Sequence, residues 1–449
     1  MSFSRFLQGR TWVQPIGEES PLSQAGPFHA RLYYGWRIVG ALALTELISF
    51  GVLYYAFSAL LVSMQRELGW SLTVLTGGFS VALLVSGLVA PLVGHWVDRR
   101  GARLLMTTGS IAATGAVLAW SRVETVPGYF AVWLVLGLAM AAVFYDPAFT
   151  VITAWFIRLR GRALLALTIT GGFASTIFLP LTDLLARSLG WRQALVVLAG
   201  VLAVGTIAPH FLVLRRRPED LGLLPDGAVA RTVMPQGIAD ITRAEPAPGV
   251  DVRSAMREPA FWWLVGAFVF STLTTTAVTV HLVAFLTEQG HASSFAALIA
   301  GAYGLFSVTG RIVVTAAGRF VSGSRMTVMV FGMQALAIFI LVVGGRGSGG
   351  VLLFIVLFGA STGALTLARA TIVADYFGRR SYGAISGTIS LFSTLSRAAA
   401  PVGAGLGYGL AHGYEPVFSV LAGTALLSAI AMAMAERSRR FGRCRLPSH

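Results

Sequence analysis

The chain has 449 residues, 55% of them hydrophobic and 12% charged, with a mean hydropathy of +0.74; a soluble domain carries about 25% charged residues, so the composition is that of a protein crossing a membrane many times. All 34 basic residues are arginine and the only cysteine is Cys444, which excludes a P-loop NTPase, Schiff-base or PLP chemistry, an internal disulfide and a multi-cysteine metal site. The net charge of +15 would suggest nucleic acid in a soluble protein, but here the arginines lie between apolar runs and set topology, so no nucleic-acid partner is expected.

Residues 1–35 are polar, contain no apolar stretch of the signal-peptide kind, and read as an N-terminal tail. Apolar runs of about 20 residues, long enough to cross a bilayer as helices, then follow in series. Six lie over 36–62, 71–96, 103–121, 128–156, 163–186 and 192–214. Six more lie over 260–287, 294–318, 326–344, 350–376, 382–410 and 414–435. The fold class expected is an all-α membrane protein of twelve transmembrane helices in two six-helix bundles, 36–214 and 259–435, joined by a polar Pro- and Gly-containing linker, 215–258. The Arg-rich segment 436–449 closes the chain and carries charge suited to anionic lipid. With a cytoplasmic N-terminus, 26 arginines fall on cytoplasmic segments and five outside (Arg66, Arg122, Arg187, Arg192, Arg346). This asymmetry predicts that both termini are cytoplasmic.

The two halves are related. Gly190-Trp191 matches Gly413-Tyr414, and Val197-Leu198-Ala199-Gly200 matches Val420-Leu421-Ala422-Gly423, both at an offset of 223. Trp155-Phe156 matches Tyr376-Phe377 at 221. Parallel repeats of this kind imply a substrate site between the halves near mid-membrane.

After the second span the chain reads Gly94-His95-Trp96-Val97-Asp98-Arg99-Arg100-Gly101-Ala102-Arg103. An acid and arginines on a short loop can pair with neighbouring helix ends and hold one side of a moving bundle shut. The motif resembles the G-x-x-x-D-R-x-G-x-R signature of the major facilitator superfamily, which implies a gate built from Gly94, Asp98, Arg99, Gly101 and Arg103. Its second copy, Gly318-Arg319-Phe320-Val321-Ser322-Gly323-Ser324-Arg325, lacks the acid, so the gate is expected to be asymmetric. Within the superfamily, Tyr34-Gly35-Trp36, Trp155-Phe156-x-Arg158-x-Arg160-Gly161-x-Ala163, His281 to Gly290, and Gly310-Arg311 are similar to bacterial members of the monocarboxylate porter and oxalate/formate group. That resemblance implies a bacterial inner-membrane transporter and gives His281 a role in substrate contact or proton relay. Two departures stand out. Ser307 takes the place of an Asp one turn before the eighth-span Arg, and the first span carries no Lys. An arginine near Trp133 and a G-P-x-x-G-G motif in the fifth span, both marks of drug/proton antiporters, are absent.

A charge within a span is retained only when paired, hydrated or functional. Arg311 lies about 12 Å from the cytoplasmic end of its span. Its fork suits a substrate carboxylate; the alternative is a structural pair with Glu46 or Asp146. Glu46, near mid-membrane, is a proton-coupling acid or a fixed ion-pair partner. Tyr145 and Asp146 precede Pro147, which frees a carbonyl and can open the fourth span beside a cavity. Arg397 is a further substrate candidate, and Arg369, at the matching half of the tenth span, could neutralise Asp146. Asp183 and Arg187 read as a solvated i,i+4 pair. Gly359-Ala360-Ser361-Thr362-Gly363 matches a nucleophile-elbow pattern, but inside a helix its small residues serve packing.

The expectation is a secondary transporter of a small organic anion, a monocarboxylate, working by alternating access with proton symport as the default coupling and anion exchange as the alternative. No enzyme activity, catalytic residue, metal or cofactor is expected, and the sequence leaves the oligomeric state open. The rival reading is a facilitator for a vitamin such as riboflavin or an exporter of a toxic metabolite or drug. A remote one is an intramembrane enzyme or a sensor.

Overall fold

The computed structural model describes residues 33–227, 249–317, 320–321 and 323–443. The expected tail over 1–35, the middle of the linker, the end of the Arg-rich segment, and Gly318, Arg319 and Ser322 of the second loop motif therefore fall largely or wholly outside the described residues.

The described chain is a set of long helices. In the first half, α1 runs Tyr34–Phe50, passes through a π-helical turn Gly51–Tyr55, and continues as Ala56–Leu68. α2 is Leu72–Arg100 and α3 is Ala102–Trp120. α4 comprises Val126–Val143 and Tyr145–Trp155, α5 comprises Arg160–Gly172 and Ala174–Leu189, and α6 runs from Trp191–Leu202 through a second π turn to Ala208–Val213. The second half holds α7 Pro259–Glu288, α8 Ser293–Ala317, α9 Gly323–Gly344, α10 Ser348–Phe377, α11 Tyr382–Ala411 and α12 Tyr414–Arg443.

Local chemistry accounts for the interruptions. α4 breaks at Phe144 (φ −87°, ψ −171°), three residues before Pro147. The proline ring occupies the space its i−4 carbonyl, that of Val143, would need. The π turn of α1 begins at Gly51, where a Cβ would collide with the Phe178 ring; one extra residue in a turn is commonly found at functional positions. α2 starts on the Ser71 cap, whose Oγ accepts the Val74 N–H at 3.3 Å. It stops at Gly101, whose φ of +80° suits a residue without a Cβ.

Eleven of these helices are long and apolar enough to span a membrane. The twelfth, α11, has the length (30 residues) but less hydropathy, because glycine, serine and alanine fill its buried face. That face packs on α2 at backbone distance: a Cβ on Gly94 would strike the Gly383 carbonyl, and one on Gly387 the Ala90 carbonyl. Small residues at a helix crossing permit such approach. Large apolar side chains such as Leu92, Leu305, Val343 and Leu410 stay exposed on the outside, where lipid replaces water.

The repeat reappears as matching clamps at the end opposite the termini. Glu67 accepts hydrogen bonds from Trp191 Nε1 (2.5 Å) and Arg192 Nε (2.7 Å), and Glu288 accepts one from the Tyr414 N–H (2.9 Å). Asp183 and Arg187 form an exposed pair at 2.9 Å.

The apolar core has three parts. One joins both halves and includes Ile38, Phe149, Trp155, Phe261, Phe331 and Ile385. The other two belong to one half each, around Trp120 and Trp133 and around Phe285 and Phe358. The halves therefore share a core at the end carrying the termini and the 215–258 connection, and have separate cores toward the other end.

Candidate functional site

Polar contacts between the halves follow the same division. The Asp98 carboxylate, at the end of α2, accepts the Gly383 and Ala384 N–H groups at 2.9 Å each, capping α11. An anion at a helix N-terminus meets both unpaired donors and the helix dipole. Arg160 pairs with Asp375 at 2.5 Å, and Arg379 donates to the carbonyls of Thr153 (2.9 Å) and Ala154. Burial lowers the pKa of Arg379 from its ordinary value, while Glu219 and Asp226 of the linker act in the opposite sense. Of the remaining motif residues, Arg99 is exposed, Gly101 packs on the Arg216 side chain, and Arg103 stacks over Phe211 at 4.5 Å.

Deeper in the bundle lies a second cross-half contact. Arg369 donates to Asp146 at 3.1 Å, to the Ser386 carbonyl at 3.1 Å and to Ser390 Oγ, while Ser390 donates to the other Asp146 oxygen at 2.6 Å. Asp146 and Arg369 are 223 positions apart, two more than the 221 that relates their helices, so they are not equivalent: Asp146 matches Leu367 and Arg369 matches Ala148.

Arg311 stands apart from this network. Its guanidinium reaches from α8 to the Thr168 carbonyl of α5 at 2.8 Å, and its buried Nε has no hydrogen-bond partner. No carboxylate pairs with it among the described residues, so neither expected structural partner, Glu46 nor Asp146, is bound to it. Gly171-Gly172 makes room: a Cβ on Gly171 would strike the Tyr145 hydroxyl, and one on Gly172 would come within 2.8 Å of the Arg311 guanidinium. Tyr145 and Arg311 are thus seated side by side on α5. Tyr55 and Tyr303 complete a group of three phenols within electrostatic range of Arg311. Tyr55 follows from the π turn, which no residue pattern announced. Tyr303 was readable, since it lies two turns before Arg311 on the α8 stripe that includes Ser307.

Glu46 is fully buried on α1 and neither carboxylate oxygen has a hydrogen-bond partner among the described residues; Asp146 lies within electrostatic range of it. An aromatic strip runs beside it. Phe50 stacks on Phe144 at 4.1 Å and meets Tyr145 at 4.8 Å, and Tyr145 stacks on Phe149 at 5.1 Å. In the second half a cavity of about 250 Å³ is lined by Thr275, Thr279, Leu282, Ala300, Tyr303 and Phe358.

Two candidates lie elsewhere. His281 makes both its polar contacts within its own half, Nε2 to the Pro401 carbonyl and Nδ1 to the Tyr414 hydroxyl, each at 3.2 Å. A carbonyl only accepts, so Nε2 carries the hydrogen and Nδ1 of the neutral ring accepts from Tyr414. Arg397 is exposed on α11, within electrostatic range of Tyr303. Ser361 donates to the Phe358 carbonyl of its own helix at 2.9 Å, as a packing serine does.

Residues 42–401 match the sequence model of the Major Facilitator Superfamily. The chain belongs to this superfamily. This major facilitator is 25% identical over 355 residues to monocarboxylate transporter 13 of Bos taurus, covering 77% of this chain and 76% of that one. It is 27% identical over 180 residues to the riboflavin transporter RibJ of Trypanosoma brucei brucei, covering 39% of this chain and a third (33%) of RibJ. Among solved structures it superposes on the human organic anion transporter MFSD10 with a TM-score of 0.64 at 19% identity, over 89% of this chain and 99% of that one. It also superposes on FucP in the outward conformation with a TM-score of 0.64 at 13% identity, over 88% and 98%. These superpositions show the fold. The facilitator is an integral membrane transporter of a small molecule rather than an enzyme.

Proposed function

We propose that this facilitator carries a small organic anion, a monocarboxylate, by alternating access, and that Arg311 holds the carboxylate. One observation carries the reading: Arg311 has no carboxylate partner among the described residues, while Asp146 and Arg369 neutralise each other. A guanidinium with free donors beside three phenols suits a planar, bidentate anion. The relationship to a monocarboxylate transporter supports the same class. Tyr145 shapes the site beside Arg311. Arg397 and His281 border the second half's side of the pathway, and Asp146 sets the position of α4 through its pair with Arg369. Glu46, buried without a hydrogen-bond partner, is the coupling acid: its proton is held while the site is dry and released when one face opens. Asp98 and its motif gate the end that carries the termini. That end faces the cytoplasm of a bacterial inner membrane, in keeping with the arginine distribution.

The test is uptake of labelled lactate, pyruvate, formate and oxalate into proteoliposomes with and without an inward proton gradient. Arg311→Lys keeps the charge and loses the fork; it should raise the apparent KM about tenfold, the equivalent of ~1.4 kcal/mol. Glu46→Gln should abolish gradient-driven accumulation while sparing exchange. Wild-type kinetics in Arg311→Lys would remove that residue from the site. Uptake only into vesicles preloaded with acid would indicate exchange.

The aromatic strip of Phe50, Phe144, Tyr145 and Phe149 supports a second reading, a planar solute of the riboflavin kind. Flavin uptake unaffected by any of the four acids would favour it.

A further inference from the structure

The two halves treat equivalent helix ends differently. In the second half α11 begins after Ser381, which offers no side-chain cap, and the cap comes across the interface from Asp98. In the first half α5 begins after Leu159, the corresponding position at an offset of 222, and it too lacks a cap of its own. By repeat symmetry that cap would come from the loop after α8. There the residue matching Asp98, counted from the motif glycine, is Ser322.

An acid is nevertheless present at the loop that leads into α5. Asp226, in the described part of the linker, accepts hydrogen bonds from three successive backbone N–H groups. These are Ile157 (3.1 Å), Arg158 (2.7 Å) and Leu159 (3.1 Å). Asp226 itself sits at φ +61°, in the left-handed region that Asp enters more readily than most residues but still at an energetic penalty. The chain keeps this conformation where the carboxylate meets three donors. The loop so held carries Arg160 into its pair with Asp375 of the other half, and Asp226 also lies within electrostatic range of Arg379.

We propose that Asp226 is a positioning residue that compensates for the acid missing from the second loop motif: it holds the loop amides 157–159 that lead into α5, and through them the Arg160–Asp375 contact, from within the linker. The two seams between the halves are then closed in different ways. The α2–α11 seam is bolted across the interface by Asp98. At the α5 side the linker holds the loop of the half it leaves, and among the described residues the contacts that cross are those of Arg160, Arg379 and, deeper, Arg311. The linker is accordingly part of the closing machinery rather than a passive tether. This holds for any substrate.

Hydrogen exchange on the purified full-length protein tests it without a substrate. In Asp226→Ala, amides of residues 157–159, which lose their acceptor, should exchange about tenfold faster, while those of 378–388 change less than about twofold. Asp98→Ala should do the reverse. A pair of spin labels at Arg162 and Arg325, both exposed, in a Cys444→Ser background, should gain a longer distance component in Asp226→Ala. Asp226→Asn retains the shape and one acceptor oxygen, and should give an intermediate exchange rate and a smaller long component. Unchanged exchange at 157–159 in folded, monodisperse Asp226→Ala would overturn the loop-holding role. Faster exchange with an unchanged label distance would overturn the role in closure.

Discussion

At the scale of single residues, the decisive fact is which charges are spent on one another. Asp146 and Arg369 are joined directly and through Ser390, with side chains 31% and 21% exposed. Removing one partner leaves the other poorly solvated, so Asp146→Asn and Arg369→Gln should each lower stability in detergent by roughly 1–3 kcal/mol. The double variant should lose less than the sum of the two, a coupling that a thermal double-mutant cycle reads directly. The sequence singled out every one of these charges, because an arginine or a carboxylate within an apolar span is conspicuous. It did not assign the pairs. Arg311 had two plausible acidic partners by depth alone, and the structure gives it a carbonyl from the other half instead. Ser390, Thr168 and Tyr55 were invisible for the same reason: their roles come from what stands opposite them, and nothing along the chain records that.

At the scale of elements, the α1 π turn decides where Tyr54 and Tyr55 point. Gly51 permits it by letting the Phe178 ring lie against the backbone. Gly51→Ala should therefore reduce thermal stability by about 1–3 kcal/mol through overpacking. Phe178→Ala in the same chain should recover part of that loss in a thermal melt. If the two effects simply add, the contact is not what shapes the turn. The spans themselves were legible from apolar run length, and the opening of α4 was legible from Pro147. The π turn was not, since no residue type encodes it. The low hydropathy of α11 has its own logic. Its partner in the seam is the backbone of α2, and small side chains serve that contact better than leucine would.

At the scale of the whole molecule, the cross-half polar contacts among the described residues and the shared apolar core all lie toward the end carrying the termini. Charge reversal should expose that dependence. Arg160→Asp sets like charges against Asp375 and should slow transport about tenfold, or ~1.4 kcal/mol. Adding Asp375→Arg should restore most of the rate, whereas a purely local defect at α5 would not be rescued. The repeat and the loop motif were readable in the sequence, and with them the expectation that one end is gated. That the linker takes part was not readable, because Asp226 carries no motif and lies about 70 positions from the loop amides it binds. The pairing of Asp146 with Arg369 has a consequence for descent. Their counterparts in the repeat are Leu367 and Ala148, so the bond has no mirrored twin. Two identical halves side by side would have made it twice or not at all. A single copy belongs to the fused chain rather than to the ancestral unit.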